Sequence, residues 1–254
     1  MFGKDGPSLW ELLYQSLCST QRGYDLLAPK FDATPFRTPD EILVPALNAV
    51  GPVDSALDLC CGTGAAMRVL RPLCRERLVG IDFSHGMLEQ ARLQLANAAG
   101  AVPIELIEAD IFERQFCGEF DLITCFGALG HIMPGDERRF LQIVHHALKP
   151  GGRFVFTTGY PPPWYTLAGF SLRTFNTIMR IRNVLLKPPF IMYYLTFLLS
   201  EVEQDLRAEG FQVEVRTGLF EPPFQRYRLV IATRISRSTQ TLQAGILSGH
   251  REQR

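Results

Sequence analysis

The sequence predicts an α/β fold, a mostly parallel sheet of seven strands with helices on both faces. Three observations predict it. Short apolar runs alternate with stretches of helical spacing from Ala56 to Thr158, the pattern of repeated strand–helix–strand units. The first run leads at once into Gly62-Thr63-Gly64, a glycine turn between a strand and its helix. Two final runs flank Pro222-Pro223, which fits a hairpin loop, so the last pair reads as antiparallel. Hydrophobic residues make up 46% of the 254, ample for a core on both sides of such a sheet.

The elements follow in order. Ala56 to Cys60 is a short buried strand, and Gly64 to Cys74 has helical spacing. Leu78 to Ile81 is the second strand. Ser84 is an N-cap for a helix running toward Asn97, which Gly100 stops. Ile104 to Ile107 and Asp121 to Cys125 are two further strands. Glu137 to Leu148 is a helix ended by Pro150-Gly151-Gly152, and Arg153 to Thr158 is the fifth strand. Glu201 to Glu209 is helical, and Phe211 to Thr217 and Tyr227 to Thr233 complete the sheet. The chain divides into an N-terminal helical segment (1–50), a core (51–159), a hydrophobic insertion after the fifth strand (160–200) and the last part of the sheet (201–233). The remaining 234–254 are polar, rich in Ser, Thr and Gln, and expected to be mobile.

Bulk properties exclude several classes. Lys+Arg and Asp+Glu both number 26, so no net charge draws the chain to nucleic acid. The N-terminal MFGKDGPSLWELL lacks the apolar core of a secretory signal, and a cytoplasmic protein is expected. The six cysteines form no C-x-x-C pair, which argues against structural zinc, and a disulfide framework is not expected either. Cys60 and Cys61, read as neighbours on a strand, point to opposite faces and cannot grip one ion. No metal site is expected.

A glycine turn after a first strand brings backbone N–H groups close to a ligand at the sheet's carboxyl edge. Asp82 ends the next strand and is placed to accept hydrogen bonds from two ribose hydroxyls. With these residues on the page, the sequence resembles the class I S-adenosylmethionine-dependent methyltransferases, whose core is a Rossmann-like doubly wound sheet. LDLCCGTG resembles the family's glycine motif, with Asp58 as its acid, Gly62 and Gly64 as its last two glycines, and Cys60 where the first glycine normally stands. VGIDFSHGMLEQAR resembles the second motif; Asp82 would hold the ribose, and Phe83 and Met87 would lie near the adenosine. IEADIFE resembles the third, with Asp110 on the adenine amino group and Ile111 against the ring. FDLITCFGALGHI matches the fourth strand and its loop, where Phe126 would border the cofactor, and LKPGGRFVFTT matches the turn into the fifth.

The resemblance implies S-adenosylmethionine as cofactor and methyl transfer to a small acceptor. His131, in the loop that faces the methyl group in this architecture, is the candidate base; the alternative is a loop histidine with no proton to move. GYDLLAPKFDATPF resembles the N-terminal lid of small-molecule and quinone-type methyltransferases, with Tyr24, Phe31 and Phe36 closing over the cofactor. Residues 160–200 are aromatic, acid-free and basic at Arg173, Arg180, Arg182 and Lys187, and would form a cap over the acceptor. A lipid, quinone or aromatic metabolite is the expected acceptor. Within this segment VLLKPPFIMYYLTFLLS is too short to span a bilayer; it is either a buried cap or an apolar face touching a membrane surface. Two other readings stay open. One is a binding module without activity. The other is a nicotinamide-dependent dehydrogenase, whose fingerprint wants a glycine where Met67 stands.

Overall fold

The computed structural model describes residues 5–133, 135–193 and 196–235; the tail beyond 235 lies outside the described residues. The chain opens with three helices, α1 (Leu9–Leu17), α2 (Thr20–Leu27) and α3 (Asp40–Val50). It then alternates through β1 (Val53–Leu59), α4 (Ala65–Leu70), β2 (Cys74–Asp82), α5 (His85–Leu95), β3 (Ile104–Glu108), β4 (Phe120–Thr124), α6 (Glu137–Ala147) and β5 (Leu148–Thr158). After α7 (Leu167–Leu185) come α8 (Leu199–Ala208), β6 (Phe211–Arg216) and β7 (Arg228–Arg234).

The seven strands form one sheet in the order β3-β2-β1-β4-β5-β7-β6. β1 to β5 are parallel, and β7 inserts between β5 and β6, antiparallel to both. Alternation along each strand separates two cores. Leu57, Leu59, Ile123, Phe154 and Phe156 pack with Phe140 and Leu141 of α6 and Leu206 of α8. Ala56, Leu122, Val155 and Ile231 pack on the other face with Leu43 and Leu47 of α3, Met67 and Leu70 of α4, and Leu88 and Ala91 of α5. A sheet buried on both faces needs apolar residues at successive positions, which is why its strands read as runs rather than alternations.

β1 and β2 begin at Val53 and Cys74, earlier than the expected Ala56 and Leu78, and three further differences have a local cause. The helix expected over Gly64 to Cys74 ends at Leu70, because Pro72 has no N–H to continue it; a tight turn over Arg71–Leu73 leads straight into β2. The Arg71 guanidinium then holds the carbonyls of Leu95, Ala98 and Val102 at the far end of α5. Leu148 already pairs with Phe120, so Pro150-Gly151-Gly152 is an irregularity within β5 rather than a separate turn. Cys60 is not on a strand. β1 stops at Leu59, and Cys60 has φ 55°. Among the described residues no helix is long and apolar enough to cross a membrane.

Candidate functional site

The carboxyl ends of β1, β2, β4 and β5 border a cavity of about 720 Å3, within the range of small-molecule and cofactor sites. Its floor is the glycine turn. Gly62 and Gly64 sit at φ 53° and 83°, conformations that favour glycine, and a Cβ on Gly64 would come within 2.9 Å of Leu95 Cδ1. The turn is fixed by Asp82, whose carboxylate accepts the N–H of Gly62 at 2.9 Å and of Ser84 at 2.9 Å. Burial pushes the Asp82 carboxyl up to about 6, against the lowering pull of those N–H groups. Asp58, on β1, is 2% exposed and accepts the Thr124 hydroxyl at 2.6 Å. Burial, with the nearby Asp82 charge, pushes it up to about 7.

The N-terminal segment covers this floor through α2 and the turn after it. Asp25 accepts the Ser84 hydroxyl at 2.7 Å and the Gly86 N–H at 3.0 Å. Asp32 accepts the Thr63 hydroxyl at 2.7 Å. Gly86 permits that approach, since a Cβ there would stand 2.9 Å from the Asp25 carbonyl oxygen. α3 is buried against the sheet, and its first turn also borders the cavity through Ile42 and Leu43.

Above the floor, His131 joins three segments. Its Nδ1 lies 2.5 Å from the Ile191 carbonyl and must donate to it; Nε2 is then the acceptor for the Tyr24 hydroxyl at 2.8 Å. Burial pushes the imidazole down, so it is neutral near pH 7. The strap around Ile191 is held by the Tyr193 N–H to the Gly130 carbonyl, 2.8 Å, and by the Thr196 hydroxyl to the Leu129 carbonyl, 3.1 Å. Met192 of this strap lines the cavity. α7, the longer part of the same insertion, turns an apolar stripe to solvent.

Tyr24, Asp58, Cys60, Gly62, Asp82, Phe83, Met87, Phe126 and His131 all line the cavity, as do Phe31 and Phe36. Gly64, Asp110 and Ile111 do not. Gly64 lies behind the turn as the N-cap of α4. Asp110 is exposed and accepts the Phe112 N–H at 2.8 Å. Ile111 is buried in the core. Both follow β3 at the same sheet edge, where the Ala109 N–H meets the Asp82 carbonyl at 3.0 Å. Sequence reasoning missed Asp25, Asp32, Arg37, Met192, Phe224 and Tyr227, which no local pattern marks; their roles arise from contacts with distant segments. Arg37, the cavity's cationic lining residue, is paired to Asp40 at 2.9 Å.

The two adjacent cysteines part company for a reason other than strand alternation. Cys60 begins the turn in a left-handed conformation and packs toward one core, whereas Cys61 is buried in the other beside Gly80 and Met67; both border the cavity. A hydrogen bond with Cys125, then burial, pushes the Cys60 thiol well above its ordinary value, and burial does the same for Cys61. Neither is a thiolate nucleophile near pH 7. Among the described residues no cluster of three or more His, Cys, Asp or Glu could hold a metal ion.

Residues 56–152 match the family model of a methyltransferase domain. The chain is 35% identical over 123 residues to the demethylmenaquinone methyltransferase of Clavibacter sepedonicus, covering 47% of this chain and 48% of that protein. It is 32% identical over 102 residues to the ubiquinone biosynthesis O-methyltransferase of Thiobacillus denitrificans, 40% and 43% of the two chains. It is 31% identical over 111 residues to the carboxy-S-adenosyl-L-methionine synthase of Aeromonas hydrophila, 42% and 43%. The chain thus spans about half the length of the curated relatives it matches. Among solved structures, DhpI in complex with SAH aligns with TM-score 0.63 at 19% identity, covering 91% of this chain and 100% of that one. The magnesium protoporphyrin IX methyltransferase of Synechocystis with bound SAH aligns with TM-score 0.54 at 18% identity, covering 77% and 80%. At these identities the likeness is one of fold, and it agrees with the strand order above. The motifs, the strand order and the family match converge on the same stretch: residues 56–152 match a methyltransferase domain.

Proposed function

We propose that the chain transfers a methyl group from S-adenosylmethionine to a small hydrophobic acceptor such as a quinone, lipid or aromatic metabolite. The observation that carries this reading is the pair of buried carboxylates at the glycine turn, Asp58 and Asp82, neither of which has a cationic partner among the described residues. Two buried acids favour a ligand bearing positive charge and disfavour the pyrophosphate of a nicotinamide dinucleotide. The donor set therefore fits this cofactor and argues against the dehydrogenase reading.

In this reading Asp82 accepts the ribose hydroxyls, Asp58 and Cys60 face the methionine end, and Phe83 and Met87 flank the adenosine. Asp110 and Ile111 are assigned to the adenine end. When bound, the cofactor supplies a methyl group already activated by its sulfonium. The protein then has to align the acceptor and exclude water. Phe31, Phe36, Phe126, Met192, Phe224 and Tyr227 give the cavity an apolar wall for that purpose, and relatives named for menaquinone and ubiquinone synthesis support an apolar acceptor. His131 and Tyr24 act as a relay. A proton leaving an acceptor hydroxyl passes to the Tyr24 oxygen as the tyrosine's own proton moves to His131 Nε2, while Nδ1 keeps its proton on the Ile191 carbonyl.

The test is incubation of purified protein with methyl-labelled cofactor and a lipid or metabolite extract, followed by mass analysis. Label in an apolar product supports the reading. Tight SAH binding without any methylated product favours the binding module, and tighter binding of NAD than of SAH overturns the assignment.

A further inference from the structure

We propose that α1 and α7 form a docking face for the surface of an anionic lipid bilayer. α7 carries its apolar stripe on the outside: Leu167 and Phe170, then Ile178, Ile181 and Leu185, fall on one face at spacings of three, eight, three and four residues, and each is more than half exposed. A helix facing water alone would be polar at those positions, and an apolar patch of this kind marks an interaction site. Arg173, Arg180 and Lys187 follow one another at intervals of seven and are exposed. None of the three takes part in an ion pair among the described residues. From Tyr160 to Ser200 the sequence has no acid. An apolar stripe with cations beside it and no acids matches the boundary between anionic headgroups and acyl chains.

α1 extends the same surface. Trp10, Leu13, Tyr14 and Leu17 are each more than half exposed. The Arg182 guanidinium donates to the carbonyls of Ser16 and Cys18, both at 3.0 Å, and so joins the end of α1 to the last turn of α7. The acid of α1, Glu11, is paired with Lys30 at 2.7 Å. The face also adjoins the cavity. Asn183 of α7 bonds the backbone N–H and carbonyl of Phe190 and the Tyr193 hydroxyl, and Met192 between them lines the cavity. An apolar molecule dissolved in the bilayer would thus lie next to the strap that closes the site. A second copy is a poorer occupant, since a two-fold contact would set the row of like charges against itself.

The test uses neither cofactor nor acceptor, so docking and methyl transfer can fail separately. The full chain is sedimented with phosphatidylcholine vesicles with and without phosphatidylglycerol. We expect binding to the anionic vesicles, weakened by added KCl, and little to the neutral ones. An Ile181→Glu/Leu185→Glu variant should stay in the supernatant with unchanged Tm and SAH affinity. Lys187→Glu, which leaves the stripe intact, should weaken partition to anionic vesicles by about tenfold. Equal partition to both vesicle types, no sedimentation with either, or a dimer that the double variant dissociates in the absence of vesicle binding would overturn the proposal.

Discussion

Asp82→Asn separates the two tasks of this carboxylate. Burial holds the group at about 6 against an ordinary 3.8, so keeping it ionised in the folded protein at pH 8 costs about 3 kcal/mol relative to the unfolded chain. The folded-state value is the higher one, so this cost is fully present above pH 6 and disappears as the pH falls toward the ordinary carboxyl range. The amide removes the cost but has a single acceptor oxygen for the two N–H groups of Gly62 and Ser84, and leaving one unpaired costs about 1–3 kcal/mol. The two effects offset, and Tm at pH 8 should move by no more than roughly 5 °C. Cofactor binding has no such compensation. Charge-assisted hydrogen bonds to the ribose contribute about 1.5–3 kcal/mol each, so the Kd for SAH should rise by about a hundredfold or more. In the parent protein affinity should also weaken by about tenfold per pH unit below pH 6, as Asp82 takes up its proton, and this slope should be lost in the variant. Calorimetry at several pH values and differential scanning fluorimetry read both quantities. An unchanged Kd in a folded variant would refute the reasoning.

Gly130→Ala places a Cβ against the backbone carbonyl of Tyr193, which cannot swing away as a side chain could. The variant should lose about 1–3 kcal/mol in chemical denaturation and lose acceptor turnover while binding SAH as before; undiminished turnover would show that the strap is not needed. Cys60→Gly relieves a left-handed residue at φ 55°, a strain of about 1–2 kcal/mol, and should raise Tm with SAH affinity retained, whereas Cys60→Val should lower it. A drop in Tm for the glycine variant would mean that the contact with Cys125 outweighs the backbone strain.

The sequence by itself determined the sheet, the glycine turn and the residues that flank it. These are local matters. A strand buried on both faces must be a run without charged residues, such as Leu78–Ile81, and a chain turning back beneath a helix N-terminus needs glycines at fixed places, as at Gly62 and Gly64. Asp82 was legible because its distance from that turn is one helix and one strand. Where local rules competed, boundaries slipped: Pro72 cut short a helix that apolar spacing continued, and Cys60 was placed on a strand although its backbone is left-handed.

Tertiary structure alone decided what stands over the floor. Tyr24 meets His131 across 107 positions, and His131 meets Ile191 across 60; no periodicity encodes a contact between segments so far apart. Asp25 in α2 and Asp32 in the turn after it look like ordinary surface acids until that segment is docked onto the Ser84 and Thr63 hydroxyls. The insertion shows the limit most clearly. Its hydrophobicity was plain, but hydrophobicity has no direction until the backbone is placed, and only the fold put Met192 in the cavity and the stripe of α7 in solvent.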